Sequence, residues 1–118
     1  MSLTVQWIKC DDGKCWCPFE TVNLDGVTAN GVYVIWHQGN PARVVYIGQG
    51  DVADRIAAHR LNPEVANYSA NGTMRVTWAA VASAHQDGVE RYLADRYPPL
   101  VGVAHPNVEP IAVNGPWD

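Results

Sequence analysis

The sequence predicts a small α+β (α/β) fold, in which a three-stranded antiparallel or mixed sheet is flanked by helices. Three segments rich in β-branched and aromatic residues are typical of strands, and two segments carry apolar residues at helical spacing. They follow one another in the order β-β-α-β-α. A chain of 118 residues is long enough for one hydrophobic core, so we expect a single domain over residues 1–118.

The first two predicted strands form a hairpin. They cover residues 31–36 and 43–48, and the turn formers of residues 38–41 separate them. A turn centred on Gly39 and Asn40 places Tyr33 directly opposite Tyr46. Side chains in that relation have Cβ atoms roughly 4.5–5.5 Å apart. We therefore expect two phenols side by side on one face of the sheet.

A helix is predicted directly after the hairpin, over residues 52–59, with Asp51 as its cap. Val52 and Ile56 lie four residues apart and are expected to face the sheet. Arg55 and His59 have the same spacing and share another face of the helix. A guanidinium and an imidazole are thereby brought to the end of the sheet that carries the phenols.

The remaining core elements are a strand over residues 73–81 and a helix over residues 84–97, which Pro98–Pro99 ends. We expect residues 31–101 to form the core and residues 1–30 to be an N-terminal elaboration in front of it. Residues 102–118, rich in proline and glycine, are expected to run along the surface and to pack back through Trp117.

Composition restricts the class of protein. The net charge of −4 argues against strong, non-specific nucleic-acid binding, which usually needs a basic stripe, although Arg43, Arg55, Arg60 and Arg75 could gather on one face. No apolar run approaches the ~20 residues of a membrane span. We expect no membrane partner and, by default, a cytoplasmic location.

Three cysteines, Cys10, Cys15 and Cys17, stand close together near the N-terminus. An odd number does not suggest a closed disulfide framework. Buried free thiols are the expected outcome, and a zinc site of three thiolates completed by a fourth ligand is the alternative.

Four short motifs in order resemble the GIY-YIG nuclease family. The family's first motif is present as Gly31–Tyr33 (Gly-Val-Tyr), and its second as Tyr46–Gly48 (Tyr-Ile-Gly). The helical arginine of the family corresponds to Arg55, with His59 one turn further on, and the glutamate of a later helix to Glu90. The resemblance covers roughly residues 31–101.

The resemblance implies a metal-dependent endonuclease on a three-stranded antiparallel sheet with helices, acting on nucleic acid, with DNA as the expected substrate. Tyr33 and Tyr46 would activate the attacking water, Arg55 and His59 would hold the phosphate, and Glu90 would bind Mg²⁺ or Mn²⁺. The chain departs from the family after Pro98–Pro99, where an expected asparagine is missing. Asn107 or Asn114 would have to replace it from the tail.

Structural alternatives stand beside each of these roles. In these alternatives, both tyrosines are ordinary core residues whose hydroxyls form hydrogen bonds at the rim of the core. Arg55 would pair with Asp51 on an exposed helix face, and His59 and Glu90 would face solvent. For the protein as a whole, the alternative is a catalytically weak or inactive module that binds nucleic acid or protein on the nuclease scaffold.

Overall fold

The computed structural model of the protein describes residues 2–102 and 105–118. Residue 1 of the N-terminal third and residues 103 and 104 of the predicted tail lie outside the described residues. No helix within the described residues is long and apolar enough to cross a membrane. In chain order the elements are β1 (Ser2–Leu3), β2 (Cys17–Pro18), β3 (Asn30–His37), β4 (Arg43–Asp51), α1 (Val52–Arg60), α2 (Pro63–Ala66) with a following 3₁₀ turn (Asn67–Ala70), β5 (Met74–Ala80), α3 (Ser83–Arg96) and β6 (Ala112–Val113).

The main sheet is antiparallel, with the strand order β2-β5-β3-β4, and the predicted α+β class is confirmed. Three of its strands are those that the sequence predicted. The fourth, β2, comes from the N-terminal third, where Cys17 pairs with Val76 and Pro18 with Arg75. The prediction of three strands missed it because two residues carry no strand periodicity.

The register of the β3–β4 hairpin differs from the prediction. Tyr33 pairs with Gly48, whereas Tyr46 pairs with Ile35. The loop between the strands holds residues 38–42, one more than predicted, and the ladder shifts between Ile35 and Trp36 because β4 carries one extra residue there. Together these two changes move the pairing by two positions, which leaves both tyrosines on the same face.

Helices cover both faces of the sheet. The face that carries Tyr33 and Ile35 packs against α1 through Val52 and Ile56, which are fully buried, as predicted. The cap of α1 is also as predicted, since Asp51 accepts a hydrogen bond from the backbone of the first turn. The opposite face packs against α3. Strand β4, at the edge of the sheet, therefore lies between α1 and α3.

The N-terminal third is fixed to this core. A disulfide joins Cys10 to Cys17, and Cys17 and Phe19 are 0% exposed. From α1, Arg60 donates to the carbonyl oxygens of Phe19, at 2.8 Å, and Val22, at 2.7 Å. Residues 1–30, apart from the undescribed residue 1, thus complete the core instead of standing in front of it.

The cysteine expectations need correction. Two of the three thiols are consumed by the Cys10–Cys17 disulfide, and only Cys15 is free and exposed. The predicted buried free thiols and the alternative three-thiolate zinc site are therefore both wrong for this structure. The two cysteines meet because a turn over residues 10–15 folds the segment back on itself, and composition alone does not reveal such a turn.

The C-terminal tail packs back on the core, as predicted. Strand β6 pairs in parallel with β1, and Asn114 holds the adjoining segment by accepting from the Val5 backbone nitrogen at 2.7 Å and donating to the Val5 oxygen at 2.9 Å. Trp117 stands edge-on to Trp36, with 5.0 Å between ring centroids, and to Tyr97, with 5.2 Å.

Candidate active site

Two phenols and an imidazole form one cluster on the α1 face of the sheet. The Tyr33 hydroxyl oxygen lies 2.8 Å from Nε2 of His59. The Tyr33 and Tyr46 rings are stacked with centroids 6.2 Å apart, and the Tyr46 and His59 rings lie 4.2 Å apart. Both tyrosines come from the hairpin and the histidine from the last turn of α1. His59 is 6% exposed, so the alternative of a solvent-facing histidine is wrong.

The glycine of the Tyr-Ile-Gly motif makes room for this cluster. Gly48 lies directly across from Tyr33, and a Cβ added there would collide with the hydroxyl and ring carbons of that phenol. Since no side chain stands at residue 48, the Tyr33 ring can lie across β4 and reach His59. The position of the Tyr33 ring therefore accounts for the glycine of the motif.

Arg55 lies on the exposed side of the same cluster. Its aliphatic stem passes 3.8 Å from the position a Cβ would take on Gly50. Its guanidinium interacts with the hydroxyls of Tyr33 and Tyr46, and the interaction with Tyr33 is the main cause that raises the pKa of Arg55 above its ordinary value. Within residues 2–102 and 105–118, no ion pair joins Arg55 to Asp51, so that alternative is wrong.

Burial sets the protonation states of the cluster. Desolvation raises the pKa of Tyr33 to about 12, although the nearby Arg55 guanidinium opposes the change. Desolvation also lowers the pKa of His59 to about 4, and the positive charge of Arg55 adds to this effect. Near neutral pH the cluster therefore consists of a protonated phenol and a neutral imidazole. When the imidazole carries its proton on Nδ1, the Tyr33 hydroxyl donates to Nε2.

Glu90 on α3 is 7% exposed, and the alternative of a solvent-facing glutamate is wrong. Nδ1 of His105, from the tail, lies 3.4 Å from its Oε2. Burial raises the pKa of Glu90, while His105 and Gln49 lower it, and the charge of Asp87 raises it further. Gln49 also donates to Oδ1 of Asp87 at 2.6 Å, so one amide joins two acidic groups.

Glu90 and the cluster of Tyr33, Tyr46 and His59 lie on opposite faces of strand β4, and the backbone of β4 stands between them. Gly48 and Gln49 are consecutive, so their side-chain positions point to opposite faces of the sheet. The Tyr33 phenol lies against Gly48 on one face, and Glu90 interacts with Gln49 on the other. Burial is the main cause of the raised pKa of Tyr33, and the charge of Glu90 adds a small contribution in the same direction. A ligand at this edge of the sheet would thus meet both faces.

Some expected neighbours lie elsewhere. Asn114 binds the N-terminal segment through Val5, and Asn107 is exposed on the tail. The arginines do not gather on one face, because Arg60 binds the N-terminal third and Arg75 donates to the backbone oxygen of residue 16.

Two residues near Glu90, His105 and Gln49, were not among the site residues predicted from the sequence. The signal that could have pointed to Gln49 was its position directly after the Tyr-Ile-Gly motif. His105 is placed by the fold of the tail, and no local pattern points to it.

The donors near Glu90 are few. No group of three or more His, Cys, Asp and Glu side chains is placed to hold a metal ion in the part of the chain that the structure describes. Mg²⁺ commonly uses only one or two protein carboxylates and keeps several waters, so the pair Glu90 and Asp87 fits it in donor type.

Compared with family models, with curated proteins and with solved structures, the chain gives no match.

Proposed function

We propose that this protein is a metal-dependent endonuclease-like enzyme that hydrolyses phosphodiester bonds in nucleic acid, with DNA as the expected substrate. One observation carries the proposal. Tyr33, Tyr46, Arg55 and His59, which come from two strands and a helix, meet in one cluster at the edge of the sheet. The buried carboxylate of Glu90 stands on the other side of β4.

The cluster supplies a path for the proton of an attacking water. With a pKa of about 12, the Tyr33 phenol is protonated near neutral pH and does not act as a preformed phenolate. It is better suited to pass its own proton to Nε2 of His59, 2.8 Å away, while it takes one from the water. His59 is a weak base because burial, and to a smaller extent the charge of Arg55, lowers its pKa, and a phosphate bound to Arg55 would offset the second of these causes.

Arg55 is the group suited to the phosphate itself. It is the exposed member of the cluster, and its planar guanidinium can bond two phosphoryl oxygens at once. Its proximity to both phenols would set the phosphate close to the proton path. Binding, orientation and proton transfer thus fall to residues that already touch one another.

Glu90, with Asp87 one turn earlier, would hold the divalent cation. Mg²⁺ or Mn²⁺, when bound, neutralises charge on the phosphoryl oxygens and assists the leaving oxygen. Because burial raises the pKa of Glu90, a cation would also stabilise the ionised form of a carboxyl group that burial disfavours.

A non-catalytic nucleic-acid or protein-binding module is the second candidate. Two observations favour it. His105 already contacts an oxygen of Glu90, and the net charge is −4 with Arg60 and Arg75 engaged in structural hydrogen bonds. Salt-sensitive binding without any cleavage would be its signature.

The test is nicking of a panel of branched, single-stranded and duplex DNAs in Mg²⁺ or Mn²⁺. The parent protein is compared with Glu90→Gln and Tyr33→Phe, and Glu64→Gln, which changes an exposed carboxylate, is the matched control. We expect cleavage by the parent and the control and a loss of about 100-fold or more in both site variants, the order of magnitude of a general acid–base contribution.

Each other result has a definite meaning. Cleavage by Glu90→Gln at the parental rate would remove Glu90 from the site. Binding of DNA by the parent with no cleavage in either metal would refute the enzyme and leave the binding module. Isothermal titration with Mn²⁺ alone separates the two roles, since Glu90→Gln should weaken metal binding and Tyr33→Phe should not.

A further inference from the structure

A cavity lies on the face of the sheet that packs against α3, where β4 begins and α3 ends. Its volume is about 510 Å³, within the range of roughly 300–1,000 Å³ that small-molecule sites occupy. Trp36, Tyr97 and Trp117 line it, together with Arg43 and Arg96. No residue of the phenol cluster contributes to its wall.

The aromatic wall is held in place before any ligand arrives. Trp117 is 42% exposed, yet its ring stands edge-on between those of Trp36 and Tyr97. The next residue, Asp118, accepts from the Gly115 backbone nitrogen at 2.7 Å and from Nη1 of Arg96 at 2.8 Å, which closes the last turn of the chain. A large indole is thus fixed and still partly open to solvent.

The charge of the cavity is positive on one side. Arg96 is compensated by Asp118, whereas Arg43, which is exposed, takes part in no ion pair within residues 2–102 and 105–118. A fixed aromatic surface next to an uncompensated guanidinium suits a planar ring that carries a phosphate. Stacking on aromatic side chains and arginine contacts to phosphate are how proteins hold unpaired nucleotides.

We propose that this cavity binds one unpaired nucleotide, its base against Trp117 and its phosphate at Arg43. The chemistry would be the same for a free nucleotide and for a nucleotide in a strand, and the second source rests on the proposed function. Arg96 follows Glu90 by six residues on α3, about 9 Å along the helix axis. At about 3.4 Å per stacked nucleotide, this rise along the helix axis corresponds to roughly two or three nucleotides, so a strand bound at Glu90 would place one of its bases in the cavity.

The experiment measures binding without cleavage. Fluorescence anisotropy of a labelled single-stranded DNA decamer, and of a blunt-ended duplex of two complementary strands, is recorded in EDTA with the full chain. A separate titration with adenosine monophosphate, followed by tryptophan fluorescence, tests the free nucleotide. The variants are Trp117→Ala, Trp117→Phe and Arg43→Gln, with Leu61→Ala and Lys14→Gln as controls that remove an exposed apolar side chain and an exposed charge outside the cavity.

We expect Trp117→Ala to weaken binding of the single strand about 5- to 100-fold, the loss expected when one stacking partner is removed. Trp117→Phe should restore most of it, and binding of the blunt-ended duplex should change less than about twofold. Arg43→Gln should make the slope of log affinity against log salt less negative by about 0.7. Neither control should show these changes, and circular dichroism verifies that each variant is folded.

Two results would overturn the cavity site: no binding of either the single strand or adenosine monophosphate by the parent, or equal binding by Trp117→Ala and Leu61→Ala. Binding of adenosine monophosphate alone would assign the cavity to a free nucleotide and refute the strand subsite. The nuclease proposal fails separately. If the parent binds the single strand through Trp117 but cuts no DNA in Mg²⁺, the cavity site stands and the nuclease proposal fails. If the parent cuts DNA but Trp117→Ala does not weaken binding of the single strand, the nuclease proposal stands and the cavity site fails.

Discussion

Replacing His59 with glutamine should change how the stability of the protein depends on pH. The imidazole is buried and its pKa is lowered to about 4, because burial and the charge of Arg55 both disfavour its protonated form. In the unfolded chain the same group takes up a proton near pH 6.5. Between these two values the unfolded state binds more protons than the folded state, so stability rises with pH across that window.

The magnitude follows from the two pKa values. A lowering from 6.5 to about 4 corresponds to at most about 3 kcal/mol of folding free energy, fully present above pH 6.5 and lost as the pH falls to about 4. At pH 5 about 2 kcal/mol of it should be gone. His59→Gln has no titrating group at this position and should not lose that amount.

Urea unfolding of both proteins at intervals from pH 7.5 to pH 5 measures the effect. The difference in unfolding free energy between parent and variant should shrink by about 2 kcal/mol over this range, because only the parent is destabilised through His59. Other groups, Glu90 among them, titrate equally in both proteins and cancel. The matched control is His85→Gln, which removes a histidine of α3 outside the cluster.

A difference that stays constant from pH 7.5 to pH 5 would refute the reasoning. So would an NMR titration in which the His59 ring changes its chemical shift near pH 6.5. Either result would mean that the imidazole is charged or solvated in the folded protein, and the proton path from Tyr33 would lose its acceptor.

Two further predictions concern how the site and the termini are held. Gly48→Ala should destabilise the protein by about 1–3 kcal/mol, since the new methyl group would displace the Tyr33 phenol, and a chemical denaturation midpoint measures the loss. Asn114→Ala should cost about 1–3 kcal/mol by the same measurement, because both backbone groups of Val5 lose their partner.

Each has a control within the chain. The cost of Gly48→Ala should fall when Tyr33 is first changed to alanine, which removes both the hydroxyl and the ring, and an unchanged cost would mean that the Tyr33 side chain is not the obstacle. Asn107→Ala, on the exposed tail, should leave the midpoint where it is. If it costs as much as Asn114→Ala, the Val5 contacts are not what stabilises the N-terminal segment.

The core of the fold was predictable because its elements are long and locally specified. Strands β3, β4 and β5 and helices α1 and α3 all have clear periodicity, and Asp51 and Pro98–Pro99 mark ends that the structure keeps. The register of the β3–β4 hairpin was not predictable, because a bulge and one more loop residue together shift the strand pairing by two positions. A shift of two restores the same face, which is why Tyr33 and Tyr46 still stack although they do not pair.

What the sequence could not reveal depends on contacts between distant segments. The burial of His59 and Glu90 needs the sheet and the tail in place, so solvent-facing alternatives were equally consistent with the helical pattern. His105 reaches Glu90 from 15 residues further along the chain, through the path of the tail. The disulfide likewise depends on a turn that brings Cys10 to Cys17.

The two residues of β2 have a consequence for the solution behaviour of shortened chains. They cover the outer edge of β5, with help from the backbone bonds of Ile8 to Trp78 and of Phe19 to Met74. A chain trimmed to begin at residue 30 would keep every residue of the phenol cluster and leave that edge bare. Uncovered sheet edges recruit strands from other molecules. The N-terminal segment, held by Arg60 and the disulfide, thus covers an edge at which β5 would otherwise be free to pair with strands of other molecules.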